Sequence, residues 1–412
     1  MPLADLGDWM DENSGSHIVW YVKRLSANDT LANGSHQAGP YIPKEFLFDI
    51  FPSINRPEAE NPDTWFVLHV DSHSGDTRRI RAVWYNNRLR GGTRNEARLT
   101  NFGGGDSALL DPDSTGSMAV FAFHREETGD ASVCHAWVCD TEVEADLVEE
   151  RIGPIEPGRG KVWVTDGDER GLLAHAARPP RASCYLDPDE IPPDWLERFP
   201  SGAEIIRKTI ELRPSNGIAV DVRLVKRREC EFELFRSVEE ATELPFIRAG
   251  FENVDDFIVR AQTILQRRKS RSGRSLELHA REIFVEEALQ EGIDFQHQPE
   301  SDPGKRPDFL FPNAEAYRNR AFPSARLRML AVKTTCKDRW RQILNEAERI
   351  QTKHLLTLQE GVSVPQFREM TEANVILVVP KPLIKHYPQQ VQPHLQTLES
   401  FIGDIRLLNL SS

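Results

Sequence analysis

The chain has 412 residues, a formal net charge of −13, 39% hydrophobic residues and 28% charged residues. This length exceeds what one ordinary core accommodates and predicts two domains, or three. The composition is that of a globular protein: no apolar run approaches the about 20 residues that a bilayer-spanning helix needs, and the acidic stretch 1–15 has no signal-peptide pattern, so we expect a cytoplasmic protein without membrane contact.

The first half of the chain has the pattern of a β-rich domain. Between residues 16 and 165, short runs rich in Val, Trp and Phe alternate apolar with polar residues, which is typical of strands. Gly, Asn and Asp separate these runs and supply the turns, and one helix is expected at 140–150. Several strands in one block predict a barrel or a sandwich. We therefore expect a β-barrel-like domain over residues 1–175.

A proline-dense stretch at 176–200 predicts a linker, because proline excludes both long helices and central strands. Ser201 and Glu204 then form a capping-box pattern that opens a helix. Helices and short buried strands follow; the helices are expected at 202–212, 219–245, 253–292 and 338–350, and the strands at 307–311, 328–335, 354–358 and 374–380. Strands separated by helices predict an α/β domain over residues 201–412.

The arginines are clustered although the net charge is negative. A protein coated for unspecific phosphate binding is usually basic, so the total charge argues against a nucleic-acid partner. Three basic clusters, at 78–98, 267–274 and 326–341, nevertheless predict basic clefts on an acidic exterior. Solvated surface charge is the alternative for each cluster.

The five cysteines are sparse, and none forms a Cys-x-x-Cys pair. This usage is typical of reduced thiols in a cytoplasmic protein. Cys134, His135 and Cys139 do not have tetrahedral zinc spacing, so we expect no zinc site there.

One pair of segments in the second half suggests phosphodiester chemistry. Pro307-Asp308 and the later Ala331-Val332-Lys333 resemble the PD-(D/E)xK arrangement of metal-dependent nucleases. Hydrolysis of a phosphodiester needs a divalent cation, which neutralises phosphate charge and activates a bound water. Alternation along two neighbouring strands predicts that Asp308 and Lys333 project from the same sheet face. The alternative is a turn aspartate and a surface lysine, since so short a motif also occurs by chance.

The acidic position of this motif is occupied by Ala331, so one metal ligand has to come from elsewhere. Glu346 is the candidate, at the border of the apolar face of the helix predicted at 338–350. A carboxylate there can point into a cleft at the sheet edge. The alternative for Glu346 is a solvated residue that forms ion pairs along its helix.

Longer segments resemble the EcoRII family of type II restriction endonucleases. They are RRKSRSGRSLELH (267–279), KRPDFLFPNAEAY (305–317), LAVKTTCKDRWRQILNEAERI (330–350) and HLLTLQEGVS (354–363) in the second half, and NGSHQAGPYIP (33–43), LFDIFPSIN (47–55) and YNNRLRGGTRNEARLTNFG (85–103) in the first. The resemblance implies a C-terminal catalytic domain with the PD-(D/E)xK restriction-endonuclease fold and an N-terminal DNA-binding effector domain.

The resemblance also implies roles for individual residues of the second half. Asp308 and the displaced acid Glu346 would hold Mg²⁺, and Lys333 would be the catalytic lysine. Lys337 and Tyr317 match further active-site positions. Glu277, on the preceding helix, would support the metal, and an ordinary helix-surface carboxylate is the alternative for it.

In the first half, the residues that match DNA-contacting positions of the family are His36, Tyr41, Arg88, Arg94, Glu96 and Arg98. A guanidinium can form two hydrogen bonds to one guanine base or bind a phosphate, and a glutamate can accept a hydrogen bond from cytosine N4. The chain departs from the family at Gly92 and Ala97, where the family carries lysines, which should weaken phosphate contacts.

The resulting hypothesis is a homodimeric endonuclease that cuts both strands of double-stranded DNA with Mg²⁺; the family target is CCWGG. By family analogy the N-terminal domain can obstruct the catalytic cleft until DNA binds, and a cognate cytosine methyltransferase belongs to the same system without direct contact. Two alternatives remain: a DNA-binding regulator with a decayed nuclease centre, which Ala331 favours, and a structure-selective nuclease such as a junction resolvase.

Overall fold

The computed structural model describes residues 3–34, 39–73, 75–103, 106–126, 129–164, 184–215 and 217–410. The chain divides into two compact units. The first comprises Met1–Ala177, Gln359–Glu369 and Lys385–Pro393, and the second comprises Arg178–Leu358, Met370–Ile384 and His394–Ser412. The domain boundaries expected from the sequence stay a prediction. Among the described residues, no helix combines the length and the apolarity needed to cross a membrane.

The first unit is built on one large sheet. Its helices are α1 (Leu3–Glu12), α2 (Lys44–Ile50) and α3 (Glu142–Ile152), and its strands are β1 (Ile18–Arg24), β2 (Asp63–Val70), β3 (Thr77–Tyr85), β4 (Glu96–Thr100), β5 (Met118–His124), β6 (Val133–Val138) and β7 (Gly160–Val164). The strand order is β4-β3-β2-β6-β5-β1-β7. Only the β2–β6 pair within this order is parallel. In this order β4 and β7 lie at opposite ends, so closure into a barrel stays a prediction.

The central strands of this sheet are buried on both faces. Val19 and Tyr21 of β1 belong to one core, whereas Trp20 and Val22 belong to a second core that includes residues of α1 and α3. This follows from the pleat, because neighbouring side chains of a strand point to opposite faces. It also explains why residues 18–22 of β1 are all apolar.

The second unit combines long helices with a smaller mixed sheet. Its helices are α4 (Pro193–Glu197), α5 (Gly202–Leu212), α6 (Val220–Ala249), α7 (Val254–Glu286), α8 (Ala314–Arg318), α9 (Val364–Glu372, which begins in the first unit), α10 (Lys381–Ile384) and α11 (Leu398–Leu410), and its strands are β8 (Gln296–His297), β9 (Phe309–Phe311), β10 (Arg328–Val332), β11 (Lys353–Leu356) and β12 (Val375–Val378). The order is β12-β11-β10-β9-β8. β10, β11 and β12 run parallel, and β9 is antiparallel to β10. The expected mixed α/β organisation is confirmed.

Of the helices predicted in the second half, one begins at its predicted cap and another is replaced by a different structure. Ser201 and Glu204 form the predicted capping box at the start of α5. The helix predicted at 338–350 is wrong: the structure has a 3-10 helix over Arg339–Asn345, and Glu346 follows it in an extended conformation. The apolar spacing in this segment fits a helix, but backbone carbonyls beyond Asn345 are bound by a side chain from β11 instead.

The prediction that all five cysteines are reduced thiols is also wrong. Cys184 and Cys230 form a disulfide, with Cα atoms 5.0 Å apart, whereas Cys134, Cys139 and Cys336 are free and buried. Residues 184–200, which lie inside the predicted linker, pack Leu186, Ile191 and Trp195 against α5 and α6. This packing brings Cys184 to α6. Spacing in the sequence gives no signal for a pair so far apart.

The basic cluster at 267–274 is used inside the helical hairpin of α6 and α7. Its arginines form ion pairs with buried glutamates of α6; these pairs are Arg267–Glu243 at 2.7 Å, Arg268–Glu239 at 2.7 Å and Arg271–Glu231 at 2.9 Å. These side chains therefore stabilise the hairpin, and most of this cluster is not an open basic surface.

Arg227 of α6 gives a stability prediction. Its guanidinium is fully buried, binds both carboxylate oxygens of Glu286 at 2.8 Å and donates to the carbonyl oxygen of Arg213. Arg227→Met removes both of these hydrogen bonds and leaves the partly exposed carboxylate only a longer ion pair with Arg223 at 3.4 Å, so the free energy of unfolding should fall by about 2 kcal/mol. Urea unfolding followed by circular dichroism measures this loss. Arg281→Met, which breaks an exposed pair with Glu291, should cost no more than about 0.5 kcal/mol.

Candidate active site

Asp308 lies at the point where β9 begins, beside the end of β10. β9 and β10 pair with Phe309 opposite Leu330, and the same register brings Asp308 beside Ala331. One carboxylate oxygen of Asp308 accepts the backbone N–H of Val332 at 2.7 Å. This bond ties the carboxylate to the end of the neighbouring strand, so its position is set by the sheet.

Lys333 is the first residue after β10, and its ammonium is 3.1 Å from the same oxygen of Asp308. Its backbone N–H donates to the carbonyl oxygen of Leu356 in β11. The strand predicted at 328–335 thus ends earlier, at Val332, but Lys333 still meets the aspartate. Burial raises the pKa of Asp308, while the positive charge of Lys333 and the N–H of Val332 oppose this rise.

Glu346 is brought to the same place from the loop after the 3-10 helix. Burial raises the pKa of its carboxyl to about 7; the ammonium of Lys333 lowers it and the carboxylate of Asp308 raises it further. One of its oxygens is buried and has no hydrogen-bond partner among the described residues. An unsatisfied buried carboxylate oxygen is costly, so this atom is suited to accept a ligand.

Glu277 of α7 borders these groups. It is buried, and its charge contributes to the raised pKa of Asp308. One of its oxygens is bound by His297 Nε2 at 2.5 Å and by the side-chain amide of Gln298 at 2.7 Å. The backbone N–H of Gln298 in turn donates to the carbonyl oxygen of Asp308. Glu277 is therefore connected to Asp308 through Gln298, the residue that follows β8.

Tyr317 and Lys337, the two further active-site residues predicted from the sequence, lie on different segments of the second unit. The hydroxyl of Tyr317 is buried, donates to Asp302 at 2.8 Å and accepts the backbone N–H of Arg349 at 3.1 Å. Burial and the hydrogen bond to Asp302 raise its pKa to about 12, although the backbone N–H of Arg349 opposes this rise. These contacts tie α8 to the loop that follows Glu346. Lys337 is half-buried in the turn before the 3-10 helix.

The donor set fits a hard divalent cation that also binds its substrate. Mg²⁺ prefers oxygen ligands and is usually held by one or two carboxylates, waters and substrate phosphates, not by an all-protein cage. Asp308 and the unsatisfied oxygen of Glu346 supply two such carboxylates. Within the described ranges, no group of three or more His, Cys, Asp or Glu side chains forms a ready-made metal cage.

A second candidate site is a cleft of roughly 850 Å³ in the first unit. Tyr41, Arg94 and Arg98 line it, together with Tyr85. The guanidinium of Arg94 lies over the Tyr85 ring at 5.3 Å, and Arg98 forms an ion pair with Glu96 at 3.0 Å. Tyr41 is exposed, but partial desolvation, then the charge of Glu45 and then that of Glu96, raises its pKa, and Arg98 opposes this. Four of the sequence-predicted DNA residues thus lie together.

The other two residues predicted to contact DNA are Arg88 and His36. Arg88 lies in the 3-10 helix Asn87–Arg90 and is exposed, and its backbone N–H binds the carbonyl oxygen of Arg94. His36 lies outside the described residues. Lys23 and Arg159 also line the cleft, and the sequence pattern gave no reason to single them out.

Sequence comparison identifies relatives along the whole chain. The family described as "Restriction endonuclease EcoRII, N-terminal" matches residues 14–167, and the family described as "EcoRII C terminal" matches residues 235–402. The chain is 44% identical over 407 residues to "Type II restriction enzyme EcoRII" of Escherichia coli, and the match covers 98% of each chain.

Structure comparison finds a partial likeness to Ecl18kI bound to DNA. The two structures are "Metal-depleted Ecl18kI in complex with uncleaved, modified DNA" and "Metal-depleted Ecl18kI in complex with uncleaved DNA". Each is 18% identical to this chain with a TM-score of 0.42 and covers 55% of it, matching 85% and 86% of the respective Ecl18kI chains.

Proposed function

This chain belongs to the EcoRII family of type II restriction endonucleases, the site-specific deoxyribonucleases, and we propose that it hydrolyses DNA at the centre formed by Asp308, Lys333 and Glu346, with Mg²⁺ as the cofactor. The observation that carries this assignment is the buried, unsatisfied carboxylate oxygen of Glu346 within electrostatic reach of the Asp308–Lys333 pair. Glu346 would thereby compensate for Ala331, which occupies the usual acidic position of the motif.

The reaction replaces one P–O bond of the DNA backbone by a bond to a water oxygen; the attacking water releases one proton to solvent, and the leaving oxygen takes one up from solvent. When bound, Mg²⁺ would supply positive charge that neutralises the scissile phosphate and lowers the pKa of a bound water. Asp308 and Glu346 would hold the ion. The ammonium of Lys333, already 3.1 Å from Asp308, would orient the attacking water and the phosphate. Glu277 would support the metal from α7. Tyr317 would position the loop that carries Glu346, and Lys337 would contact the substrate.

The cleft of the first unit would bind a copy of the recognition sequence as an effector. Tyr41, Arg94, Glu96 and Arg98 would contact it, and we assign His36 and Arg88 to the same surface on the strength of the family resemblance. The juxtaposition of an aromatic ring, two guanidinium groups and one carboxylate supports this role. Such a set can contact phosphates, guanine edges and cytosine amino groups at the same time.

Arg98→Ala should weaken binding of a recognition duplex by the first unit about 10-fold to 100-fold. The reason is that a guanidinium in a cleft supplies either a phosphate clamp or a base contact. Fluorescence anisotropy measures the affinity; both proteins would also carry Asp308→Asn, so that they bind the duplex without cutting it. Arg79→Ala is the matched control, because Arg79 is exposed on β3 and lies over Trp65. Equal losses in both variants would contradict the assignment of the cleft.

The family target CCWGG, the obstruction of the catalytic cleft by the N-terminal domain, and the homodimer are further parts of this proposal. Two strands of a near-palindromic site need two catalytic centres related by a twofold axis, which supports a dimer. Sedimentation of the free protein tests the dimer. A cognate cytosine methyltransferase would protect the cell's own sites in the cytoplasm without binding this chain.

The decisive experiment is digestion of a sequenced plasmid with Mg²⁺, followed by mapping of the ends. Cleavage at one short sequence, absent in EDTA, is the expected result. Specific binding without any cutting or nicking would instead support a DNA-binding regulator with a decayed centre, the alternative that Ala331 favours. Cleavage that follows branched structures irrespective of sequence would support a structure-selective nuclease.

A further inference from the structure

The loop that carries Glu346 has no regular secondary structure to hold it. The 3-10 helix ends at Asn345, Glu346 is extended, and Ala347 has a φ of 45°. A residue other than glycine in this left-handed region is held there by its surroundings. Something outside the loop must therefore fix the position of the displaced acid.

Lys353, the first residue of β11, lies outside this loop and binds its backbone. Its side chain is almost completely buried, and its ammonium donates to the carbonyl oxygens of Glu346 at 2.6 Å, Ala347 at 2.9 Å and Ile350 at 2.5 Å. An ammonium group has three protons, so these acceptors use its full donor capacity. Burial of an unpaired ammonium would be costly, and the three carbonyl dipoles offset that cost.

The strand that carries Lys353 connects this contact to the rest of the site. β11 is parallel to β10, with His354 opposite Leu330, and Lys333 follows the end of β10 directly. The backbone N–H of Lys333 donates to Leu356 of β11. Lys353 therefore fixes the backbone of Glu346 to the same sheet that holds Asp308 and Lys333.

We propose that Lys353 is a positioning residue of the nuclease centre: by binding the carbonyl oxygen of Glu346 it places the displaced carboxylate opposite Asp308. Its partner is the polypeptide backbone, so it touches neither the DNA nor the reacting atoms. The PD-(D/E)xK motif has its acid at the position of Ala331, on the strand itself, where no such support is needed. Displacement of the acid into a loop creates the need for a buried cation beneath that loop.

The inference rests on the proposed function, and the test separates the two. Wild-type protein, Lys353→Met, Lys353→Arg and the control Lys305→Met would be compared; Lys305 forms an exposed ion pair with Glu348 in the same loop. The first readout is binding of Mn²⁺ to the free protein by titration calorimetry, and the second is cleavage of a plasmid. Failure of the wild type to cut would refute the proposed function, whereas metal binding tests Lys353 by itself.

Lys353→Met should weaken Mn²⁺ binding at least about 10-fold and reduce kcat more than it raises KM for DNA. Lys353→Arg should recover part of both, and Lys305→Met should match the wild type. In a Glu346→Gln background, Lys353→Met should cost little further metal affinity, because both changes remove the same ligand. Unchanged Mn²⁺ affinity in a folded Lys353→Met protein, or an equal loss in both backgrounds, would overturn the inference.

Discussion

Asp308→Asn is expected to reduce DNA cleavage by at least on the order of 10³-fold, equivalent to about 4 kcal/mol of transition-state stabilisation. The amide has nearly the same shape as the carboxylate, so it can still accept the N–H of Val332. It removes the charge that would bind the cation and that pairs with Lys333. Initial rates of plasmid cleavage in Mg²⁺ measure the effect.

The fold and the DNA affinity of Asp308→Asn should be retained, because the substitution removes a charge from a buried position and fills the same volume. Thermal unfolding and a binding titration without metal verify this. Asp189→Asn provides the matched control, since Asp189 is exposed in the second unit. An Asp308→Asn protein that is folded and cuts within 10-fold of the wild-type rate would contradict the proposed centre.

Metal binding should depend strongly on pH through Glu346, the second large effect that we expect. Its carboxyl has a pKa of about 7 in the free protein because of burial, so it is protonated below neutrality. A metal ion competes with that proton. Its apparent affinity should therefore fall about tenfold for each pH unit below about 7 and level off above it. The raised pKa of Asp308 acts in the same direction.

The stability of the metal-free protein should show the opposite trend. The pKa of Glu346 is raised from an ordinary value of 4.5, so the folded state binds the proton more tightly than the unfolded chain does. This stabilisation is complete below pH 4.5 and is lost as the pH rises through about 7. Glu346→Gln should remove the loss, and bound metal should compensate for it in the wild type.

Titration calorimetry with Mn²⁺ between pH 5.5 and 8, combined with thermal unfolding over the same range, tests both trends. Glu346→Gln should bind metal weakly, and the part of the pH dependence that arises from Glu346 should disappear. Glu348→Gln is the control, because this neighbouring glutamate is largely exposed and pairs with Lys305. If Glu346→Gln keeps the pH dependence of the wild type, Glu346 is not the titrating ligand.

The sequence by itself determined the elements with a strong local signal. Short runs rich in Val, Trp and Phe, separated by turn residues, indicated the strands of the first unit, and the pair Ser201 and Glu204 marked the start of α5. Segment similarity identified the family and selected Asp308, Lys333 and Glu346 from many possible carboxylates and lysines. The inferences about the strands, the helix start and the family succeeded because pleats, helix caps and motif segments are encoded by residues close together in the chain. The roles of the three residues stay a prediction.

Only the tertiary structure decided how those residues are used. The pattern around Glu346 fits a helix, yet Lys353 binds the carbonyls there and a 3-10 turn forms instead. Arginines of the 267–274 cluster pair with glutamates of α6, and Cys184 meets Cys230 although 46 positions separate them. Each outcome depends on a contact between residues that are distant in the sequence. The residues near one partner do not indicate which distant residue the other partner is.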